Sequence, residues 1–403
     1  MRPLLALCLF AVAALAPAHA DPKSDHARVM RLLKETPLID GHNDLPWEIR
    51  ERFNGDLSKV DLGASTKAVG LHTDMARLHA GGVGGQFWSV YVPAELQGLD
   101  SHAMVLRQID LVQRMVARYP DDLAVAVTAA DIVKIHKAGK VASLIGVEGG
   151  EAIAGDLALL RELRRRGVGY ITLCHSKTTA WVDSATDAPK HGGLSPFGED
   201  VVREMNRIGM LVDLSHVSAD AMRDALRVST APVIFSHSSA RALTDAPRNV
   251  PDDVLPLVAK NGGVVMVNFY PAFISEAFRL WNAERAGAEA RAKALNPGDP
   301  DKAKAVLQAW EAAHPAPKTS IKDVADHIDH IRKVAGVDHV GIGSDFDGVP
   351  ALPEGLGGVE TYPALLEELL RRGWTIADLK KLAGENVLRV MRTAEAVASG
   401  SAR

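Results

Sequence analysis

The chain has 403 residues, of which 47% are hydrophobic and 24% are charged, and its formal net charge is −4. A chain of this length can bury one large core, so it suits either one barrel or two domains. Because acidic and basic residues are interspersed and no basic block occurs, nucleic acid and anionic membranes are poor candidates for partners.

The first twenty residues are typical of an export signal. Arg2 gives a positive start, residues 4–15 an apolar core, and Ala18-His19-Ala20 a small-x-small cleavage site. The apolar run is shorter than the about 20 residues that span a bilayer, and these flanks disfavour a buried N-terminal helix. We therefore expect residues 1–20 to be a signal peptide, cleaved near Ala20, and the mature chain to be periplasmic or secreted.

The cysteine content agrees with export. Cleavage removes Cys8 and leaves Cys174, which by itself cannot close an intrachain disulfide. We expect a large core and bound metal, rather than cross-links, to stabilise such a chain. No second apolar run follows and residues 399–403 are polar, so we expect no membrane anchor. The sequence leaves the oligomeric state open, a homodimer included.

Short apolar runs rich in β-forming residues alternate with helix-like stretches along the chain. The runs are 37–42, 83–92, 142–148, 168–174, 210–214, 233–236, 263–269 and 339–344. Amphipathic segments between them include 102–119, 157–166, 198–208 and 218–228. Eight such repeats predict an α/β fold, a closed (β/α)8 TIM-type barrel of the metal-dependent hydrolase type. A doubly wound open sheet is the alternative, although no glycine-rich nucleotide loop follows the first run.

Residues 274–318 interrupt this alternation. They are rich in Ala, Glu, Lys and Arg, a composition that favours helix, and are broken by the sequence NPGDP at 296–300. We interpret the stretch as a helical insertion over the barrel mouth; a longer surface connection without a function is the alternative. Residues 362–372 and 375–392 are predicted to be closing helices, so 21–403 form a single domain.

Polar side chains end five of the eight runs. They are His42 and Asp44 after the first run, Glu148 after the third, His216 after the fifth, His237 after the sixth and Asp345 after the eighth. The carboxyl ends of barrel strands converge on one face, so these side chains can meet around a ligand. His42 and Asp44 can bind one ion together, because residues i and i+2 of an extended segment point the same way.

Three histidines and three carboxylates suit zinc, and more than four such ligands suggest two ions that share a bridge. Glu148 is the candidate bridge because its carboxylate has two oxygens, with His42 and Asp44 on one zinc and His216 and His237 on the other. Each residue alone has a simpler explanation, a hydrogen-bonded histidine or a helix N-cap. Their joint placement at one end of the barrel favours the metal site.

Another pair of histidines, His327 and His330, has a spacing that could also hold zinc on a helix. This predicted helix precedes the eighth run and so lies toward the opposite, stabilising face of the barrel. We therefore interpret both histidines as structural.

Ordered motifs run along essentially the whole mature chain. They are IDGHNDLPW (39–47), GVEGG (146–150), YITLCH (170–175), GLSPFG (193–198), DLSHVS (213–218), FSHSS (235–239), RNVPD (248–252), VNFY (267–270) and DFDGVP (345–350). At these residues the sequence resembles the membrane dipeptidase (renal dipeptidase) family of zinc peptidases. The resemblance implies a binuclear zinc centre with a glutamate bridge, which falls on Glu148.

The resemblance also implies roles that spacing does not give. His175 would polarise the scissile carbonyl and stabilise the oxyanion, and Arg248 would bind the C-terminal carboxylate of a dipeptide. Asp345 would manage the proton of the bridging water. Trp47 and Tyr270 would line the substrate pocket.

The sequence thus predicts a zinc-dependent dipeptidase that cleaves the peptide bond of dipeptides through a hydroxide bridging two zinc ions. Its cofactors would be two Zn²⁺ per chain. One alternative is another metal-dependent amide or lactone hydrolase on the same barrel. A catalytically silent periplasmic binding protein is the other, and the complete ligand set argues against it.

Overall fold

The structure is a computed structural model that describes residues 22–400. The predicted signal peptide lies outside the described residues. Across the described chain, no helix combines the length and the apolar character that crossing a membrane requires.

Parallel strands form a closed barrel. The strands are β1 (Leu38–Asn43), β2 (Val83–Tyr91), β3 (Leu123–Val125), β4 (Val141–Glu148), β5 (Val168–Thr172), β6 (Leu211–Asp213), β7 (Ile234–Phe235), β8 (Val264–Val267) and β9 (Val340–Ile342). β1 pairs with both β2 and β9, and β2 also pairs with β4, which closes the circle β1-β2-β4-β5-β6-β7-β8-β9. The predicted (β/α)8 fold is confirmed, and the eight predicted runs correspond to these eight strands.

Helices follow the strands and cover the barrel. They are α1 (Pro22–Glu35), α2 (Leu45–Phe53), α3 (Met75–Ala80), α4 (Gly98–Arg118), α5 (Ala129–Lys137), α6 (Leu157–Arg165), α7 (Pro196–Ile208), α8 (Ala219–Val228), α9 (Leu255–Asn261), α10 (Pro271–Ile274), α11 (Glu276–Leu295), α12 (Pro300–Ala313), α13 (Ile321–Ala335), α14 (Tyr362–Arg371), α15 (Ile376–Lys380) and α16 (Asn386–Ala398). Helix-covered parallel strands are buried on both faces, as the fully buried residues of β4 illustrate.

Sequence patterns missed two details of this architecture. β3 has only three residues and pairs with Val141–Ser143 at the start of β4, before β5 pairs with β4 from Ile145 onward. The predicted helix over 375–392 contains a π-helical turn at Lys381–Glu385, which joins α15 to α16 without a break in the helical backbone. Gly384 in this turn lies so close to β1 that a Cβ there would come within 2.1 Å of the Pro37 carbonyl oxygen.

Helices α11 and α12 lie between β8 and β9 and pack against each other as a hairpin. The chain between them, 296–299, contains the break expected from its proline and glycine. Pro300 opens α12 at its first position, where the absent N–H costs no hydrogen bond.

Candidate metal centre and substrate pocket

The structure brings the ten residues singled out in the sequence to the carboxyl ends of the barrel strands. His42 is in β1 and Asp44 directly follows it; Glu148 ends β4; His175, His216, His237 and Asp345 follow β5, β6, β7 and β9; Trp47 is in α2, Arg248 precedes α9 and Tyr270 precedes α10. Nine of the ten line one cavity of about 680 Å³. The tenth, His42, is fully buried, with its Nε2 atom 3.2 Å from Oδ2 of Asp44.

Glu148 lies at the centre of the histidine cluster. Its Oε2 atom is 3.4 Å from Nε2 of His42. Its Oε1 atom is 2.9 Å from Nε2 of His216 and 3.4 Å from Nε2 of His237. The two oxygens of one carboxylate therefore face different histidines, as a bridging ligand requires.

The described residues contain three overlapping groups of possible metal ligands. Within each group, the ligand atoms all lie within 4.8 Å of one another. The groups are His42, Glu148 and His237; Glu148, His175 and His216; and His42, Asp44 and Asp345. His175 and Asp345, which the resemblance assigns to substrate and proton roles, thus lie within the same cluster as the predicted ligands. Distance alone does not separate ligand from catalytic group at these two positions.

The backbone is held in an unusual conformation at several of these residues. His216 has φ of 72° and Asp345 has φ of 66°, both in the left-handed region that side chains other than glycine rarely adopt. Such conformations persist where the surrounding structure enforces them, and they cluster at functional sites. Here they turn the chain immediately after β6 and β9.

A tyrosine in β5, a strand that does not pair with β1, orients His42. The Tyr170 hydroxyl donates to the Gly41 carbonyl oxygen at 3.0 Å and lies 2.9 Å from Nδ1 of His42. Tyr170 pairs with Gly146 of β4, where a Cβ would come within 2.0 Å of the tyrosine ring. Gly146 therefore makes room for the tyrosine ring. Because the tyrosine hydroxyl engages Nδ1 of His42, the other ring nitrogen, Nε2, is left to face the carboxylates.

A second hydrogen-bonded chain orients His237. Its Nδ1 atom lies 2.8 Å from the Ser236 hydroxyl, which donates to Oδ2 of Asp213 at 2.6 Å. Ring nitrogens engaged in this way fix the orientation of a metal-binding imidazole. Neither Tyr170 nor Ser236 was recognisable as a site residue from sequence spacing.

The protonation states of the cluster suit cation binding. Burial holds the pKa values of His216 and His237 well below the ordinary histidine value, so both rings are neutral and carry a free electron pair. Burial alone would raise the pKa of Glu148, but His42, His175 and the hydrogen bonds from His216 and His237 outweigh it and hold that pKa well below normal. The glutamate is therefore ionised.

The hydrogen bonds inside the cluster are incomplete. His42 Nε2, His175 Nδ1 and His216 Nδ1 are buried without a hydrogen-bond partner. Nε2 of His216 and Nε2 of His237 approach to 3.0 Å although both rings are neutral. Buried polar atoms are normally satisfied, and an imidazole–carboxylate set of this composition suits zinc, so the residues present fit the metal that the sequence predicts.

Asp345 has the properties of a proton carrier. Burial, with the charges of Asp44 and Glu148, raises its pKa to about 7 against the opposing effects of His42 and Asn268. The Asn268 amide donates to Oδ2 of Asp345 at 2.7 Å and so fixes the carboxyl group. A group with a pKa near the working pH can both take up and release a proton.

Arg248 is a buried cation, only 4% exposed. Its guanidinium nitrogens approach the Ser238 hydroxyl and the His237 carbonyl oxygen at 3.4 Å, and it lies 5.4 Å from the centre of the Phe273 ring. Within residues 22–400 it forms no ion pair with a carboxylate. A buried guanidinium that lies beside a cavity and forms no contact ion pair can bind a carboxylate ligand.

Comparison with known proteins decides the family. The sequence profile of the membrane dipeptidase family (peptidase family M19) matches residues 26–403. The chain belongs to this family. Dipeptidase 3 of Rattus norvegicus and of Mus musculus are each 42% identical to it over 383 residues, which cover 94% of this chain and 69% and 68% of the rat and mouse proteins.

Solved structures agree with the family assignment. The probable dipeptidase PvdM from Pseudomonas aeruginosa superimposes with a TM-score of 0.80 at 25% identity, covering 94% of this chain and 100% of that one. A metallopeptidase from Rhodobacter sphaeroides, bound to a phosphinate mimic of the dipeptide L-Ala-D-Ala, gives 0.73 at 25% identity, with 89% and 99% covered. The predicted enzyme class, a metallo-dipeptidase, is confirmed.

The dipeptidase cavity contains side chains that the sequence did not single out. They are Glu48, Glu51, His72, Tyr91, Phe273 and Asp347. Trp47 packs edge-on against Tyr91, with ring centres 4.8 Å apart, and Tyr270 packs edge-on against Phe273 at 5.1 Å. Glu48 and Glu51 lie three residues apart on α2, whereas the others come from β2, α10 and loops that only the fold brings together.

The histidines of α13 do not belong to the dipeptidase site. Nδ1 of buried His327 accepts a hydrogen bond from the Ala240 backbone N–H at 3.0 Å. His330 lies 2.8 Å from Asp252 on the surface. Both make structural contacts, as the position of α13 before β9 predicts.

Proposed function

We propose that this chain is a binuclear zinc dipeptidase. One observation supports this most strongly: the two oxygens of Glu148 face different histidines in the cavity that also holds the uncompensated Arg248. His42 and Asp44 would hold one ion and His216 and His237 the other, with Glu148 between them. The export predicted from residues 1–20 stays a prediction.

Bound zinc would polarise the peptide carbonyl and lower the pKa of the attacking water toward about 7. Arg248 binds the C-terminal carboxylate through paired, charge-assisted hydrogen bonds and so selects substrates that end at the second residue. Nε2 of His175 donates a hydrogen bond to the carbonyl oxygen, where negative charge develops. Asp345 accepts a proton from the attacking water and delivers it to the leaving amine nitrogen.

Metal analysis and a substrate panel test this proposal together. Zinc-loaded protein should contain two ions per chain, and Glu148→Ala should contain fewer. The wild type should hydrolyse a dipeptide much faster than its C-terminal amide or a tripeptide. Arg248→Ala should lose about 10- to 150-fold in kcat/KM on the dipeptide, the effect of one lost charge-assisted contact.

Three outcomes would contradict the proposal. Full activity with one ion per chain would exclude the binuclear centre. An Arg248→Ala enzyme that keeps the preference for the free carboxylate would remove Arg248 from substrate selection. Hydrolysis of other amides or lactones but of no dipeptide would make the chain a different hydrolase.

A further inference from the structure

The lining of the cavity contains two separate groups of side chains in mutual contact, which define its two halves. In the first half, Arg248 and Tyr270 both pack against Phe273. In the second half, Trp47 of α2 packs against Tyr91 of β2. Under the proposed function the carboxylate end of a dipeptide occupies the first half and its peptide carbonyl lies at the metal cluster. The side chain of the first residue is therefore left with the second half.

Helix α2 presents carboxylates to this second half. Trp47, Glu48 and Glu51 all line the cavity, and residues three and four apart share one face of a helix. Glu48 is paired with Arg52 at 3.0 Å. Glu51 is exposed and forms no ion pair with any other residue that the structure describes. Its negative charge is thus free to act on whatever enters the cavity.

Asp347 contributes a buried carboxyl group that lies close enough to Glu48 of α2 to interact with it electrostatically. Its side chain is 1% exposed. One oxygen accepts the backbone N–H of His72 at 2.6 Å, whereas the other, Oδ2, has no hydrogen-bond partner. Burial, with the charges of Glu48 and Asp44, raises the pKa of Asp347 to about 7, so a cation that enters the cavity favours the ionised form of this carboxyl group. His72 supplies no compensating charge, because burial and Arg77 lower its pKa to about 4. An unpartnered buried acceptor in a cavity wall points to a donor supplied by a ligand.

The aromatic rings of this half complete a surface suited to a cation. Trp47 and Tyr91 line it, and their ring faces attract ammonium and guanidinium groups. Burial and neighbouring carboxylates raise the pKa of Tyr91, and two of these carboxylates, Glu95 and Glu51, are not proposed zinc ligands. A neutral substrate side chain in this half would gain only the contact with the aromatic rings, without the attraction to the carboxylates.

We propose that this half of the cavity is a subsite for a cationic side chain, so that the enzyme prefers dipeptides whose first residue is lysine or arginine. This inference rests on the proposed function, because the orientation of the substrate follows from Arg248. Glu51 and Asp347 are its specificity-determining residues. The α-ammonium group of the substrate would not produce this preference, because every dipeptide carries one.

Two substrates with the same four-carbon side chain isolate the effect of the ammonium group. Lysyl-alanine and norleucyl-alanine differ only in the terminal ammonium of the first side chain. The wild type should show a kcat/KM about tenfold higher for lysyl-alanine, the effect of one charge-assisted contact. Glu51→Gln should reduce this ratio severalfold. Asp347→Asn should reduce it too, while its amide oxygen can still accept the His72 N–H.

Asp121→Asn provides the matched control. Asp121 is exposed and precedes β3, at the opposite end of the barrel from the cavity. The variant removes one negative charge from the protein without touching the subsite, so the ratio should stay at the wild-type value. A similar fall in this variant would mean that net charge, rather than the subsite, produces the preference.

Equal rates for the two substrates in the wild type would overturn the cationic subsite while leaving the dipeptidase proposal intact. A lysyl preference that survives both Glu51→Gln and Asp347→Asn would also overturn it. If neither substrate is hydrolysed, the proposed function fails instead. Calorimetric binding of the same two dipeptides then decides the subsite, with equal affinities counting against it.

Discussion

Asp345 shows how a single residue is assigned its role by its surroundings. It lies after β9, in the left-handed backbone region, and one of its oxygens is held by Asn268. It is also close enough to His42 and Asp44 to serve as a ligand. A neutral side chain of equal size at position 345 would affect proton transfer and metal binding differently, so a substitution can separate the two roles.

Asp345→Asn separates proton transfer from metal binding. Asparagine still accepts the hydrogen bond from Asn268, but it cannot take up a proton. We expect the variant to fold, to keep both zinc ions and to bind dipeptides with similar affinity. Its kcat should fall about 10²- to 10⁴-fold, the usual contribution of a positioned acid or base. The measurement is kcat together with metal content on one preparation.

The outcomes of this substitution are distinct. A variant with both ions and near-normal turnover would remove Asp345 from the mechanism. Loss of zinc in proportion to activity would make it a ligand. If Asp345 only capped the following turn, asparagine would replace it with little change in rate or stability.

The candidate metal ligands and Asp345 were predictable because each lies at the end of a barrel strand, whereas the candidate substrate-binding residues were predicted only from the family resemblance. In a parallel barrel, histidines and carboxylates at strand ends must converge, and this places Glu148 and His216 without knowledge of strand register. Tyr170 and Asn268 were not predictable in this way. Their contacts depend on which residues of neighbouring strands lie side by side, for example Tyr170 beside Gly146.

Among the secondary-structure elements, the strands that cross the core were predicted correctly from apolar runs in the sequence, and other elements were predicted less well. β3 was not predicted because its three residues are too few to show the sequence pattern of a strand. The π-helical turn between α15 and α16 was not predicted, because the contact made there, the close approach of Gly384 to Pro37, lies outside the helix. Contacts of this kind are a property of the assembled fold rather than of the local sequence.

The hairpin of α11 and α12 is joined to the cavity by a chain of aromatic rings. Phe278 packs against the cavity residue Tyr270 with ring centres 6.4 Å apart, and against Trp281 at 5.2 Å. Trp281 packs in turn against Trp310 of α12 at 6.2 Å. The side chain of Asn282 hydrogen-bonds with the Tyr270 hydroxyl. The first turns of α11 therefore fix one wall of the cavity.

Asn282→Leu tests whether the hairpin positions Tyr270. Leucine has a similar volume but offers no hydrogen bond, so the tyrosine loses a partner while the helix keeps its packing. We expect KM for dipeptides to rise about three- to tenfold, in line with one lost hydrogen bond, with a smaller change in kcat. Steady-state kinetics on zinc-loaded enzyme give this split directly.

Gln308→Leu is the control for this variant. Gln308 is exposed on α12 and undergoes the same amide-to-leucine change away from the cavity. Its kinetics should match the wild type. If Asn282→Leu does so too, the hairpin is a surface connection without influence on the site.

At the scale of the whole molecule, the candidate metal cluster brings together residues from most strands of the barrel. Its residues come from β1 and β4 and from the segments after β5, β6, β7 and β9, which are six of the eight barrel strands. The cluster disperses when the barrel unfolds, so ions that bind it stabilise the folded state. Metal binding should therefore be visible in global stability as well as in activity.

Thermal unfolding measures this coupling. An ion at a hundred times its Kd adds about 2.7 kcal/mol, and the entropy of unfolding of 403 residues is about 0.8 kcal/mol per kelvin. Two ions should thus raise the Tm by about 6 °C over that of chelator-treated protein. Glu148→Ala should show a much smaller rise, because the carboxylate that faces both groups of histidines is gone. Calorimetry at fixed zinc activity, with metal content measured on the same samples, provides the comparison. Equal Tm values for the metal-free protein and a wild type that retains two ions would show that the ions bind outside this cluster or bind the unfolded chain equally well.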